Sequence, residues 1–171
     1  MVIEKYTKAL ISSLNKDEQK EIFEALKKLA LLSKNQKFIL ILKSPLLSQE
    51  EKINFVKELT NCSNQKFVNF IHILLENKRI DLLKDIFKNY YAKLAFLNNT
   101  FEGVVEGEIS EDTLKALEEK LSSKFNAIIK LNLEKKDING IKVFVDVLNV
   151  EVAIDENRIK QDIITDILKA I

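Results

Sequence analysis

Glycine and proline are nearly missing from this sequence, with three glycines and one proline in 171 residues. A chain so poor in turn-formers cannot be rich in loops, and helix is the structure that tolerates this composition best. Cysteine is also scarce. Cys62 stands alone, so no internal disulfide can form; a lone thiol fits a reducing cytosol and reads first as a small semi-buried residue. His72 is the single histidine, which rules out a histidine-based metal cluster and leaves a poor candidate for a nucleophilic triad. Its plainer reading is a surface position on a helix. Gly103, Gly107 and Gly140 cannot be assembled into a Walker A loop or a dinucleotide fingerprint.

Charge of one sign is missing too. Lys and Arg total 27 against 26 acids, a net charge of +1, and the two signs interleave along the chain. No basic block offers the counterion release that nucleic-acid binding draws on. Apolar runs stay short, as in Phe38 to Leu42, whereas a membrane span needs about 20 residues. The start, Met1 to Tyr6, carries Glu4 and lacks the basic and apolar regions of a signal peptide. The expectation is a soluble cytoplasmic protein without direct membrane insertion. Glu106 and Glu108 lie two apart on a predicted strand, hence on one face; paired carboxylates can do acid–base work, but a solvated strand face explains them better. No catalytic, cofactor-binding or metal residue and no small-molecule substrate is assigned.

What is present is helical periodicity. Val2, Ile3, Tyr6, Ala9, Leu10 and Leu14 recur at helical spacing. Asn15 with Glu18 forms a capping box for a second helix whose buried face is Ile22, Phe23, Leu26, Leu29 and Ala30. Phe38 to Leu42 fits a strand or a buried helix; its surroundings favour a short helix, ended by Pro45. Ser48 and Glu51 form another capping box, ahead of Ile53, Val56 and Leu59. A fifth helix is expected over Gln65 to Glu76. A sixth begins near Asp81 and presents Leu82, Leu83, Ile86, Phe87, Tyr90, Tyr91 and Leu94.

Near Asn98, Asn99 and Thr100 the pattern changes to period two. Val105 to Ile109 reads as a strand. Ser110 caps a helix with Leu114, Leu117, Leu121 and Phe125 inside. Ile129, Leu131 and Leu133 alternate with Lys130, Asn132 and Glu134 as a second strand. Asn139 and Gly140 mark a turn; Ile141 to Leu148 and Val150 to Ile154 read as strands meeting at Asn149. A last helix carries Ile159, Ile163, Ile164, Ile167, Leu168 and Ile171, either packed on the sheet or offering a groove to another helix. The fold class is mainly α: an N-terminal six-helix bundle over 1–98, then a smaller α+β domain over 99–171.

The fifth helix has more apolar surface than one core needs. Phe67, Val68, Phe70, Ile71, Ile73, Leu74 and Leu75 sweep roughly 220° of the helical wheel, against the ~100° stripe of an ordinary bundle helix. Either the helix is central in its bundle or part of the arc awaits a partner. Phe70, Ile73 and Asn77 lie at one margin, where a partner helix can dock.

Several segments resemble one family. Tyr6, Lys8, Ala9 and Leu10 are similar to its signature Tyr-Ala-Lys-Ala-Leu, with Thr7 replacing the first alanine. Asn69 to Ile80, NFIHILLENKRI, resembles its fifth-helix segment ending in Glu-Asn-Gly-Arg-Leu; Glu76, Asn77 and Arg79 match, and Lys78 replaces the glycine. Asn77 or Lys78 is therefore expected to take a left-handed conformation. Asn139, Gly140, Ile141 and Val143 resemble a Gly-Gly stretch that opens a strand, and Val152, Ile154 and Asp155 resemble the Val-Ile-Asp before the last helix. Asn139 departs from that pattern, as do Glu156 and Asn157, which stand where Gly-Ser follows the aspartate.

The family is the F-type ATP synthase delta subunit, the bacterial counterpart of the mitochondrial oligomycin-sensitivity-conferring protein. The resemblance implies a non-catalytic stator connector, peripheral to the cytoplasmic face of the bacterial inner membrane. Its first domain would bind the N-terminal segments of the alpha subunits through a groove between the first and fifth helices. The matching positions are Tyr6, Ala9, Leu10, Ser13, Asn69, Phe70, Ile73 and Asn77. Its second domain would bind the b subunits of the peripheral stalk, with Ile164, Leu168 and Ile171 as candidate contacts. The rival readings are a generic helical adapter that docks an amphipathic helix and a small enzyme with an unrecognised site.

Overall fold

The computed structural model describes residues 2–138, 140–154 and residue 167. The chain divides into two compact units, Met1–Lys93 and Leu94–Ile171.

Unit one is built from helices α1 (Val2–Ser13), α2 (Lys16–Leu32), α3 (Gln36–Lys43), α4 (Gln49–Thr60), α5 (Gln65–Glu76) and α6 (Leu83–Asn98), the last preceded by a 3-10 turn at Ile80–Leu82 and running past the boundary between the units. Both expected capping boxes form. The Asn15 side chain accepts from the Asp17 and Glu18 amides while Glu18 accepts from the Asn15 amide, and Ser48 and Glu51 exchange the same pair of bonds. Asn35 and Asn64 cap α3 and α5. Such caps fix helix starts because the first turn has amide donors without intrahelical acceptors, each good cap stabilising by ~1 kcal/mol. The Phe38 segment is helical. The core is formed by Ile22, Leu26 and Leu29 of α2, Phe67, Ile71 and Leu74 of α5, and Leu83, Ile86 and Tyr90 of α6, all fully enclosed. The Tyr90 hydroxyl donates to the Gln19 carbonyl at 3.2 Å, and burial pushes its ionisation far above the usual phenol range. Phe23 stacks on Phe87 and Tyr91 at centroid distances of 5.5 and 6.0 Å, closing α2 against α6.

Unit two carries β1 (Thr100–Gly107), α7 (Glu111–Phe125), β2 (Ile128–Glu134), β3 (Ile141–Val145) and β4 (Val150–Ile154). The sheet order is β2-β1-β3-β4. β1 and β2 run parallel through the α7 crossover; β3 pairs antiparallel with β1, and β4 with β3. Leu117 and Leu121 of α7 bury against Phe101, Val105, Ile129, Leu131 and Val143, and Ile167 joins this core. The rest of the last expected helix, from Ile159 on, lies outside the described residues, as does Asn139.

Two strands differ from the sequence expectation. β1 begins at Thr100 rather than Val105 and ends at Gly107, not Ile109. Its inward positions are Phe101, Gly103, Val105 and Gly107, and two glycines among four hide the apolar alternation. Gly107 has φ +127°, a geometry that ends the strand, and a Cβ there would sit 2.6 Å from the Gly140 carbonyl. β3 stops at Val145 rather than Leu148. Asp146–Leu148 winds into a 3-10 turn, and Asn149 at φ 54° reverses the chain into β4.

Candidate partner-binding groove

α1 and α5 pack side by side in unit one. The Tyr6 and Phe70 rings meet edge to face, 6.3 Å between centroids. Tyr6 near the start of α1 reaches Arg79 just beyond α5, while Glu18, in the first turn of α2, pairs with Lys66 in the first turn of α5 at 2.7 Å.

At 100° per residue, Val2, Tyr6, Ala9 and Ser13 form one stripe of α1, and Asn69, Ile73 and Asn77 one stripe of α5. Leu10 and Phe70 are buried between the stripes, Tyr6 is half-buried, and Ala9, Ser13, Asn69 and Asn77 are exposed. The eight residues singled out in sequence thus divide into a floor and two rims. Val2, 41% exposed, extends the apolar surface beyond them, at the start of the same periodic stripe.

The open question about the α5 arc has a clear answer. Phe67, Val68, Phe70, Ile71 and Leu74 are buried, so the helix is central in its bundle. The unsatisfied apolar surface is narrower than the arc: Phe70 is 6% exposed, but Ile73 is 43% exposed. Phe70 therefore shapes the groove from below, and Ile73 is its open apolar residue.

The end of α5 is set by a Schellman cap. The Lys78 amide donates to the Leu75 carbonyl at 3.0 Å and the Arg79 amide to the Leu74 carbonyl at 2.8 Å. Of the two residues expected to supply the left-handed conformation, Lys78 does so, with φ 55°, while Asn77 is at φ −79°. The Asn77 side chain donates back to the Ile73 carbonyl at 2.8 Å. This turn delivers Arg79 onto Tyr6. Its guanidinium carbon lies 5.7 Å from the ring centroid, and Nη1 donates to the phenol oxygen at 3.3 Å. Arg79 was legible in sequence only as a motif match; its place beside the left-handed residue is the signal that marks it.

The remaining candidates are structural. His72 lies on the surface of α5, 3.9 Å from Glu76. Glu106 is engaged by Lys136, which also reaches Glu134 at 3.5 Å; Glu106, by its hydrogen bond, is the main cause that raises the Lys136 pKa. Among the described residues no group of three or more His, Cys, Asp or Glu is placed to hold a metal ion. No described helix is long and apolar enough to cross a membrane. Ile164, Leu168 and Ile171 lie outside the described residues.

The model of the family described as ATP synthase delta (OSCP) subunit matches residues 2–163. The chain belongs to this family. ATP synthase subunit delta of Campylobacter concisus is 40% identical over 100% of this chain and 98% of its own length. That of Aliarcobacter butzleri is 34% identical with the same coverage. A chain of the cryo-EM structure of the Toxoplasma gondii mitochondrial ATP synthase hexamer shares the fold, with a TM-score of 0.62 at 14% identity, covering 98% of both chains. The family is a structural, non-catalytic subunit of ATP synthase, which sets aside both the unrelated adapter and the small enzyme.

Proposed function

We propose that this chain is the stator connector of its ATP synthase, holding the alpha/beta head to the b-subunit stalk against the torque of the turning central shaft. Unit one takes an N-terminal segment of the alpha subunit as an amphipathic helix in the α1/α5 groove. Unit two takes the far end of the b subunits, with Ile164, Leu168 and Ile171 as contacts. The complex meets the cytoplasmic face of the inner membrane through its other subunits.

The observation that carries this reading is Ile73: a large apolar side chain, 43% exposed, on a helix whose other apolar residues are buried or half-buried, above a floor of Leu10 and Phe70. A helix laid along both rims would cover it, the helix-in-groove mode of recognition. A joint that must not slip under rotation calls for roughly nanomolar affinity, about −12 kcal/mol. An interface of about 1,600 Å² with well-packed anchors supplies that.

Calorimetric titration of the whole protein with the N-terminal peptide of the alpha subunit tests it. Ile73→Asp is expected to weaken binding at least about tenfold, because a carboxylate would be desolvated under the peptide, with the thermal melt of the free protein little changed. Equal affinity for variant and wild type would remove the groove from the function.

A further inference from the structure

Arg79 is a half-buried cation. Among the described residues no carboxylate pairs with it. Of the acids near it, Asp81 pairs with Lys43 at 3.4 Å and Glu4 of α1 with Lys93 at 3.6 Å, while Glu76 lies 3.9 Å from His72. Its hydrogen-bonding partner is the neutral Tyr6 hydroxyl. A guanidinium has five N–H donors in a rigid fork, so most of its capacity is unused. The contact with the Tyr6 ring and its hydroxyl holds the guanidinium in place and lowers the ordering cost of a further bond.

The opposite end of the groove is different. There Lys66 is already neutralised by Glu18 at 2.7 Å, and the Gln65 amide is bonded to the Asn69 side chain at 2.8 Å. Lys5 flanks the α1 rim and Lys78 follows the α5 cap, neither with an acid partner among the described residues. At the end where α1 begins and α5 ends, Arg79, Lys5 and Lys78 thus have no acid partner among the described residues.

We propose that Arg79 is a specificity-determining residue of the groove, receiving a carboxylate side chain from the docked amphipathic helix and so fixing which end of that helix lies at the α5 terminus. This rests on the α1/α5 groove being the binding face. An apolar floor alone accepts a helix in either direction; one immobilised cation at one end breaks that symmetry. Pairing satisfies a partly desolvated charge on each side, the arrangement in which Arg–carboxylate pairs contribute most.

The experiment is a double-mutant cycle by calorimetry on the full chain, with the alpha N-terminal peptide as probe. Each Glu or Asp of the peptide is changed singly to its amide and titrated into wild type, Arg79→Gln and Arg79→Lys. Arg79→Gln is expected to weaken binding about tenfold and to reduce its salt dependence, and exactly one peptide position should lose its effect in that background. Arg79→Lys keeps the charge but loses the planar fork, and should fall between the two while coupling to the same peptide acid. Ile73→Asp serves as the control for the groove. If it abolishes binding while Arg79→Gln binds as wild type, or if no peptide acid couples to Arg79, the inference is wrong and the groove stands. If wild type does not bind the peptide, or Ile73→Asp binds it unchanged, the groove reading falls and takes this inference with it. Circular dichroism monitors folding; should Arg79→Gln unfold, absence of coupling in Arg79→Lys overturns the proposal by itself.

Discussion

Replacing Lys78 with glycine should make unit one more stable. Lys78 is the left-handed residue of the α5 cap, at φ 55°. A side chain in that region brings Cβ close to the following carbonyl oxygen, at a cost of roughly 1–2 kcal/mol. Lys78 is exposed and its side chain makes no hydrogen bond or ion pair among the described residues, so removing it forfeits little. Glycine gives back part of the gain, about 0.5–1 kcal/mol, because it has more freedom to lose on folding. The balance is a stabilisation of about 0.5–1 kcal/mol, a rise of roughly 2–6 °C in the melting temperature of a unit this size. Scanning calorimetry of the full chain should show that shift in the transition of unit one. An unchanged or lower melting temperature would mean that Lys78 is not strained, and that the account of the α5 terminus is mistaken.

Phe70→Ala should cost about 3–5 kcal/mol of stability, since the ring is buried and leaves a cavity, whereas Ile73→Ala should cost under about 1 kcal/mol; paired chemical-denaturation curves separate floor from rim. Gly103→Ala should destabilise unit two by at least about 1–3 kcal/mol, because its Cβ would meet the Phe144 carbonyl at 2.6 Å and Leu131 and Val145 side chains at 2.8 Å; its melting transition reports this. The carboxyls of Glu18 and Glu51 are held below their ordinary range, Glu18 first by the Lys66 ammonium and then by the Asn15 amide, Glu51 by the Ser48 amide and hydroxyl. A lowered folded-state pKa gives stability that is present above the unfolded value of about 4.3 and lost as pH falls through the folded one. Thermal melts between pH 6 and 3 (roughly the span these groups titrate over) should therefore flatten in the Glu18→Gln/Glu51→Gln double variant.

Helix starts and stops were legible in the sequence because they depend on neighbours a few residues away. Asn15 with Glu18, Ser48 with Glu51, and Ser110 at the head of α7 each declare a first turn by local hydrogen-bonding chemistry alone. The asparagines Asn61, Asn99, Asn126 and Asn149 take the left-handed positions that glycine usually supplies, so a chain with three glycines still ends its helices and turns cleanly. Periodicity likewise separated the helical part from the alternating part, since side-chain direction repeats with the backbone itself.

What the sequence could not decide was how much of an apolar face its own fold would cover. The α5 arc was visible residue by residue, but burial is a property of what packs on it, and only the tertiary packing around that helix, with α1 and α4 against it, left Ile73 open and closed Phe70. The meeting of Tyr6 and Arg79, 73 residues apart, and the inward glycines of β1 belong to the same class. Local order is set by bonds and nearby amides; a site is set by distant segments brought into contact, and that requires the tertiary structure.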